Sequence, residues 1–327
     1  MAAAVSEPEV SQTSTDNGKG NGLLLYYHQY SFYSQKVVMA LHEKKLPFKS
    51  HIVNLTKGEQ FQPWFLQINP RGEVPVLKDG FKVIPDSSRI LEYLEDNFSN
   101  GDAPRLIPLD QGPEVKQKVL HFRTIIDQLP TGVITMGSFF HPEFCQNPKP
   151  PFIRPVIKLL QAAEINSSAN LRKHAENNRE FRDVLLQKAK IQDVRHEKLL
   201  IKEEFKKVLD QVSSVLGEVE DELASHKEGD WWLCSDRFTV ADIALTILLD
   251  RLYRLGLDNY FWGSGKKPHV SNYYRRVQLR DSFKKAVPST LFHLKTLFQM
   301  QTPLIIGIGV VAALAVILGG IFYFKKN

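Results

Sequence analysis

The alternation of apolar and polar positions divides the chain into a first part with strands and helices and a second part with helices alone. Residues 23–28 (LLLYYH) and 48–55 (FKSHIVNL) are apolar runs of strand length, and residues 34–46 between them carry apolar side chains at near-helical spacing. Residues 69–96 follow as turn, strand, tight turn, strand and helix. The pattern therefore predicts the order βαβ followed by ββα.

The second part begins with helical patterns and contains a large insertion. Residues 141–200 are first rich in proline and then charged on most helical faces. A helix that is polar nearly all round is solvated, paired with a partner or marginally stable, and long connections in compact domains tend to be functional or disordered. The insertion is therefore the expected surface for a cytosolic protein partner. After it, a core-facing helix is predicted by an apolar stripe of Phe205, Val208, Leu209, Val212, Val215, Leu216, Val219 and Leu223.

Capping residues predict where three helices begin. Ser34 is placed to cap the first helix, and Asp86 or Ser87 the helix that follows the last strand, because such side chains accept hydrogen bonds from the free N–H groups of a first turn. Thr239 and Asp242 stand at the T-x-x-D spacing of a capping box. These two residues are predicted to have a structural role.

Residues 304–324 (LIIGIGVVAALAVILGGIFYF) form an apolar stretch without any charge. An α-helix rises about 1.5 Å per residue, so this stretch spans roughly 30 Å, the thickness of one hydrocarbon core. Only Lys325, Lys326 and Asn327 follow it, which predicts a tail anchor inserted after synthesis. Basic residues are denser before the span than after it, so the bulk of the chain is expected in the cytosol.

The segments that flank the predicted folded part have distinct compositions. Residues 1–22 are small and polar and lack the apolar region of a signal peptide, which predicts a disordered N-terminal tail. Residues 288–303 combine basic and apolar side chains and are expected to lie along the membrane surface before the anchor.

The net charge of +6 is small, so the positions of the basic residues say more about binding partners than the total charge does. No basic face with interleaved aromatic residues suggests nucleic acid, so a nucleic-acid partner is not expected. A membrane surface is the expected partner of a basic cluster near the C-terminal end. The cluster comprises Arg275, Arg276, Arg280, Lys284 and Lys285.

Cysteine and histidine usage argues against disulfide and metal chemistry. Cys145 and Cys234 are the only cysteines and lie in unrelated surroundings, so they give neither a disulfide framework nor a thiolate metal site. The ten histidines show no metal-ligand spacing with a third ligand in reach. We therefore predict no metal site and a reducing compartment.

Pro75 opens an apolar strand (EVPVL), where it cannot donate a hydrogen bond to the sheet. A cis Val74–Pro75 bond would explain its position. The alternative is a trans proline on an edge strand, which general frequencies favour because only about 5–6% of X–Pro bonds are cis.

The predicted βαβ and ββα units, with the segments GEVPVL and DSSRILEYLE, resemble the thioredoxin-like domain of the cytosolic glutathione transferases. FTVADIAL is similar to the segment that begins the core helix of their all-helical domain. The resemblance implies a glutathione transferase fold, with an α/β N-terminal thioredoxin-like domain over residues 23–102 and an all-α C-terminal domain over residues 103–287. The single C-terminal transmembrane helix follows them.

The same resemblance implies candidate site residues. In the family the valine–proline bond is cis and the valine backbone binds the cysteinyl part of glutathione, which implies these roles for Val74 and Pro75. The acidic residue and serine that open the last helix bind the γ-glutamyl end, which implies Asp86 and Ser87. Ser31 matches the catalytic serine of zeta-like members, whose hydroxyl donates a hydrogen bond to the glutathione sulfur. Helix N-termini attract carboxylates and favour thiolates, which gives the mapping a physical basis.

A narrower resemblance comes from SQKV, EYLE, VLGEVEDEL, WGSGKKP and YYRRV, together with the charged insertion and the C-terminal anchor. These features are similar to the ganglioside-induced differentiation-associated protein family, tail-anchored relatives of the glutathione transferases. The resemblance implies the mitochondrial outer membrane, and peroxisomes as a second location, with the bulk of the chain in the cytosol. It implies a regulator of mitochondrial fission and network dynamics with weak or absent transferase activity. Lipid of that membrane and a second copy of the chain are expected partners.

The alternative is a membrane-tethered glutathione S-transferase that conjugates glutathione to electrophiles. Departures from the transferase pattern favour the regulator, because bulky Phe32 and Tyr33 follow Ser31 and Pro85 directly precedes Asp86, which replaces the usual glutamate. Each departure is expected to narrow or displace the glutathione pocket. Glutathione is the expected ligand or co-substrate in both cases, and no other cofactor is expected.

Overall fold

The computed structural model describes residues 22–99, 103–226, 231–289 and residue 292. Its sheet has four short strands: β1 (Leu23–Tyr27), β2 (Phe48–Ile52), β3 (Val76–Asp79) and β4 (Lys82–Pro85). Their order across the sheet is β2-β1-β3-β4, with β1 parallel to β2 and antiparallel to β3, and with β3 antiparallel to β4. This confirms the predicted α/β unit, and the helical unit follows it as expected.

The helices of the described ranges fall into two groups, with α1 to α3 beside the sheet and the others in the second unit. They are α1 (Phe32–Glu43), α2 (Pro63–Ile68), α3 (Ser87–Asn97), α4 (Pro113–Asp127), α5 (Thr131–Phe140), α6 (Arg154–Ile165), α7 (Ser167–Asn177), α8 (Arg182–Leu199), α9 (Lys202–Ser225), α10 (Val240–Leu255), α11 (Asp258–Phe261), α12 (Pro268–Val277) and α13 (Asp281–Ala286).

The sheet is covered on both faces, which explains why its central strand is apolar. Leu25 of β1 is fully buried and pairs with Ser50 of β2 and Leu77 of β3. α1 and α3 share the main core with β1 and with the helical unit. A smaller core elsewhere on the sheet joins Phe65 of α2 to Val76. The end of β1 and the starts of α1 and α3 are thereby held in fixed positions.

The helical unit is organised around α10, almost all of whose residues are buried. Thr239 and Asp242 form the predicted capping box at its start, with the Asp242 carboxylate accepting the Thr239 N–H at 2.8 Å. The predicted stripe on α9 is also confirmed, since its members are buried in the main core or packed against it. α4 and α1 pack directly against α10, so the two units share one core.

The prediction that Ser34 caps the first helix is wrong. α1 begins at Phe32, and the residue at its N-cap is Ser31, whose Oγ accepts the Ser34 N–H at 3.3 Å. Ser34 lies inside the helix and is fully buried. The helix starts earlier because Phe32 is only 5% exposed and packs into the main core, which adds an apolar position upstream of the predicted pattern.

Two members of the predicted basic cluster are engaged within the helical unit. The guanidinium carbons of Arg276 and Arg280 lie 4.0 and 4.7 Å from the ring centroid of Trp232. Arg280 also pairs with Glu43 of α1 at 2.7 Å. Arg280 therefore joins the two units to each other, and both arginines contribute less to a membrane-facing surface than the sequence suggests.

The insertion folds mostly into helices, and α7 and α8 pack against each other as a pair that we name the inserted hairpin. Its apolar side chains form a separate small core with Leu66 of α2, made of Leu171, Ala175, Leu185 and Ala189. The hairpin therefore docks on the sheet unit. The expectation of a partner surface stays a prediction.

Predictions about the two ends of the chain lie outside the described residues for the most part. Residue 22 is the only part of the predicted N-terminal tail that is described, and residues 304–324 fall entirely outside. In the ranges that the structure describes, no helix has the length and apolar character needed to cross a membrane.

Candidate functional site

All five residues that the sequence assigns to the glutathione site line one cleft. The cleft has a volume of about 1110 Å³ and is walled by Ser31, Val74, Pro75, Asp86 and Ser87 together with residues from the helical unit. These residues come from three separate segments of the sheet unit. The fold thus brings together residues that lie far apart in the sequence.

Ser31 occupies the start of α1 at the edge of this cleft. Its Oγ acts as hydrogen-bond acceptor for the Ser34 N–H, so the hydroxyl proton remains available for a donor bond. A serine here serves the helix and can also donate to an anion. The positive end of the α1 dipole favours a thiolate at the same place.

The loop that carries Val74 and Pro75 is held in place by Asn69. Its Nδ2 donates to the Glu73 carbonyl at 2.8 Å, and its Oδ1 accepts the Arg71 N–H at 3.2 Å. The Val74–Pro75 bond is cis, as the resemblance implies, and the trans alternative is excluded. The loop thus holds Val74 at the cleft.

Asp86 has an unusual backbone conformation at the start of α3. Its φ of 74° and ψ of 131° lie in a region that L-residues rarely adopt. Its Oδ1 accepts the N–H groups of Ser88 at 2.8 Å and Arg89 at 3.2 Å, so Asp86, and not Ser87, caps α3. Strained residues persist where the surrounding structure holds them, and they cluster at ligand sites.

Charged residues that sequence reasoning missed also line the cleft. Lys36 of α1 is buried and pairs with Asp127 of α4 at 2.8 Å, so these charges neutralise each other. Arg71 and Arg89 have no ion-pair partner among the described residues, and they stand on the Val74 loop and on the first turn of α3. Both neighbour the predicted motifs in sequence, which is the signal that could have identified them. Two unpaired guanidinium groups fit a ligand with two carboxylates.

The expected crowding after Ser31 arises from one aromatic residue only. Phe32 points into the main core and does not line the cleft, so the prediction that it narrows the pocket is wrong. Tyr33 and Pro85 do line the cleft. The Tyr33 hydroxyl accepts a hydrogen bond from Thr131 Oγ1 at 3.2 Å, which fixes the ring between the two units.

Neighbouring aromatic residues at the end of β1 take no part in the cleft. Tyr26 packs against Phe65, and burial raises the pKa of Tyr27. Burial lowers the pKa of His28 to about 4, so its imidazole is neutral at physiological pH. None of the three lines the cleft.

Metal and thiol chemistry have no visible basis in the described part of the chain. No group of three His, Cys, Asp or Glu side chains there is placed to hold a metal ion. Cys145 and Cys234 are free, and burial raises the pKa of both thiols, that of Cys145 to about 11. Neither thiol is activated as a nucleophile.

Two family models match this chain. The model described as "Glutathione S-transferase, N-terminal domain" matches residues 30–97, and "Glutathione S-transferase, C-terminal domain" matches residues 188–281. Most of the insertion lies between the two matches.

Curated relatives match over most of the chain. Ganglioside-induced differentiation-associated protein 1-like 1 of Homo sapiens is 32% identical over 301 residues, which cover 88% of this chain and 78% of the relative. The protein of the same name from Mus musculus is 31% identical, with 88% and 80% covered. Glutathione S-transferase TCHQD of Arabidopsis thaliana is 26% identical over 80% of this chain and 88% of its own length.

Solved structures share the fold. β-Etherase LigF from Sphingobium sp. strain SYK-6 superposes with a TM-score of 0.59 at 21% identity and covers 81% of this chain and 98% of its own. Ure2p in complex with S-hexylglutathione superposes with a TM-score of 0.55 at 19% identity and covers 82% and 98%. At these identities the likeness establishes the fold alone.

Proposed function

The chain belongs to the ganglioside-induced differentiation-associated protein family and carries both glutathione S-transferase domains, and on this basis we propose a glutathione-binding regulator of mitochondrial fission and network dynamics. It is held in the mitochondrial outer membrane by residues 304–324, with peroxisomes as a second location. Its transferase turnover is weak or absent. The observation that supports glutathione as the ligand is the convergence of the five predicted site residues on one cleft.

Each part of glutathione has a chemically matched place in the proposal. The γ-glutamyl carboxylate lies at the start of α3, where the positive end of the helix dipole, Ser87 and the unpaired Arg89 favour an anion. Asp86 Oδ2, which is not used in capping, accepts from the ligand ammonium. The cysteinyl part lies at Val74 and its sulfur near Ser31 at the start of α1.

A regulatory role is proposed because the sequence lacks a nucleotide-binding loop that could drive membrane scission. The sequence contains no G-x-x-x-x-G-K-[ST] loop, so it has no such site for the nucleotide hydrolysis that membrane scission requires. A second copy of the chain and a cytosolic protein at residues 141–200 belong to the proposal as partners. α8 supports the latter, since its Ile191 and Val194 are 61% and 54% exposed.

The second candidate function is a membrane-tethered transferase that conjugates glutathione to electrophiles. The position of Ser31 favours it, because a hydroxyl with an available proton lies at the thiol end of the cleft. Glutathione binding without conjugation of an electrophile would support the regulator, and rapid conjugation would support this enzyme.

Calorimetric titration of the full chain in detergent with glutathione tests the cleft, together with a rate assay on chlorodinitrobenzene. We expect saturable binding and little turnover. Ser31→Ala is expected to raise the pKa of the bound thiol, read from thiolate absorbance, while binding persists. Rapid conjugation that Ser31→Ala abolishes at unchanged affinity would establish the enzyme instead, and absence of binding by the wild type contradicts both functions.

A fluorescent protein fused before residue 1 of the full chain is expected to mark the mitochondrial surface and, more weakly, peroxisomes. Leu314→Arg is expected to release the signal into the cytosol, because an arginine at the centre of a span costs about 2.5–3.5 kcal/mol. Thr302→Arg, just before the span, is the matched control and should leave the pattern unchanged. A diffuse wild-type signal contradicts the anchor, and a reticular signal contradicts the mitochondrial location alone.

A further inference from the structure

The inserted hairpin is fixed to the sheet unit beside the cleft. Leu171 and Leu185 are at most 2% exposed in the small core that the hairpin shares with α2. Asn178, between α7 and α8, donates from Nδ2 to the carbonyl of Phe61 at 3.4 Å. The side of α8 that faces α2 is therefore held in a fixed position and forms one wall of the cleft.

Two side chains on that wall reach the cleft. Lys188 and Gln192 are spaced by one helical turn on α8, and both line the cleft that contains the predicted glutathione residues. Lys188 Nζ donates to the Arg71 carbonyl at 2.9 Å and to Glu73 Oε1 at 2.6 Å. An ammonium has three protons, so one remains for a ligand.

Two side-chain amide oxygens in the cleft lack hydrogen-bond partners. Gln60 Oε1 and Gln192 Oε1 are buried and accept no hydrogen bond from any described residue, and both side chains line the cleft. Buried polar atoms without partners are rare, and each calls for an explanation. A ligand with peptide N–H groups supplies the missing donors.

The contacts of the cleft give it two distinguishable ends. The start of α3 contacts α4, where Arg123 donates to the Ser88 carbonyl at 3.1 Å. The Val74 loop contacts the inserted hairpin through Arg71 and Glu73. A tripeptide with its γ-glutamyl end at α3 and its cysteine at Val74 extends its third residue towards Lys188.

We propose that the inserted hairpin completes the glutathione cleft, with Lys188 and Gln192 receiving the glycyl carboxylate and peptide N–H of the tripeptide. The proposal rests on the proposed glutathione binding and deepens it. The insertion then serves as a ligand-binding wall, and its docking on α2 is part of the binding-competent state. Arg71 lies at the same end as a second cation.

The test titrates the full chain in detergent with glutathione and with its glycyl monoethyl ester, which removes only the glycyl charge. We expect the wild type to bind the acid about tenfold more tightly than the ester. Lys188→Met should remove most of this preference by weakening the binding of the acid alone. Lys190→Met, an exposed position on the same helix, is the matched control and should change neither affinity.

A purely structural role for Lys188 gives a different result. If the lysine only holds the loop through Glu73, Lys188→Met weakens acid and ester by the same factor, and Glu73→Gln does likewise. Our proposal instead expects Glu73→Gln to keep the preference for the acid. Equal wild-type affinity for acid and ester overturns this inference and leaves glutathione binding standing, whereas binding of neither ligand overturns both.

Discussion

Asp242→Ala is expected to lower the free energy of unfolding by about 4 kcal/mol, because it breaks a fully buried hydrogen-bond network. The carboxylate accepts the N–H groups of Leu233 and Thr239, each at 2.8 Å, as well as the hydroxyls of Thr239 at 2.7 Å and Tyr273 at 2.9 Å. Alanine leaves these donors buried and unpaired, and it removes the capping box of the central helix α10. Urea unfolding of the full chain in detergent, followed by tryptophan fluorescence, measures the loss.

Tryptophan fluorescence reports on the region around Asp242, because Trp232 packs against Tyr273 with ring centroids 6.0 Å apart. Asp242→Asn should give a smaller loss, because the amide keeps one acceptor oxygen. Asp221→Ala on α9 is the matched control, and we expect a change within about 0.5 kcal/mol, since Asp221 is exposed. An Asp242→Ala protein whose free energy of unfolding lies within about 1 kcal/mol of the wild-type value contradicts the assigned structural role.

The elements that the sequence predicts correctly depend on local signals. The capping box at Thr239 and Asp242 acts within four residues, and the apolar stripe on α9 follows one helical period. Both can therefore be recognised from the sequence alone. The residue at which α1 begins is not determined by a local sequence signal. It depends on Phe32 entering the shared core, and a residue pattern that begins at Ser34 does not contain that contact.

The residues of the candidate site likewise divide into those that belong to local sequence motifs and those that do not. Val74 and Asp86 belong to short motifs, and the cleft confirms that the motifs converge. Lys188 has no motif of its own, because α8 is charged on most faces and nothing in its sequence marks which lysine meets the Val74 loop. Its position follows from the small core that Leu185 shares with Leu66, residues more than one hundred positions apart, and only the folded chain brings them together.

Replacing Asp86 is expected to separate the ligand-binding role of its side chain from the strain in its backbone. Asp86→Gly and Asp86→Ala should each weaken glutathione binding by roughly 10–100-fold, since both remove the carboxylate proposed to accept from the ligand ammonium. The two variants should differ in stability. At a φ of 74°, glycine adopts the native backbone without penalty, so Asp86→Gly should be more stable than Asp86→Ala by about 1–2 kcal/mol.

Calorimetry with glutathione and urea unfolding, both on the full chain in detergent, measure the two effects on the same samples. Asp96→Ala is the matched control, because Asp96 is an exposed carboxylate on the same helix, and it should change neither quantity measurably. If both Asp86 variants retain wild-type affinity, Asp86 acts only as the cap of α3 and the ligand ammonium lies elsewhere. If the alanine variant is as stable as the glycine variant, the unusual backbone conformation stores no strain, and its presence at the cleft loses its value as an indication of function.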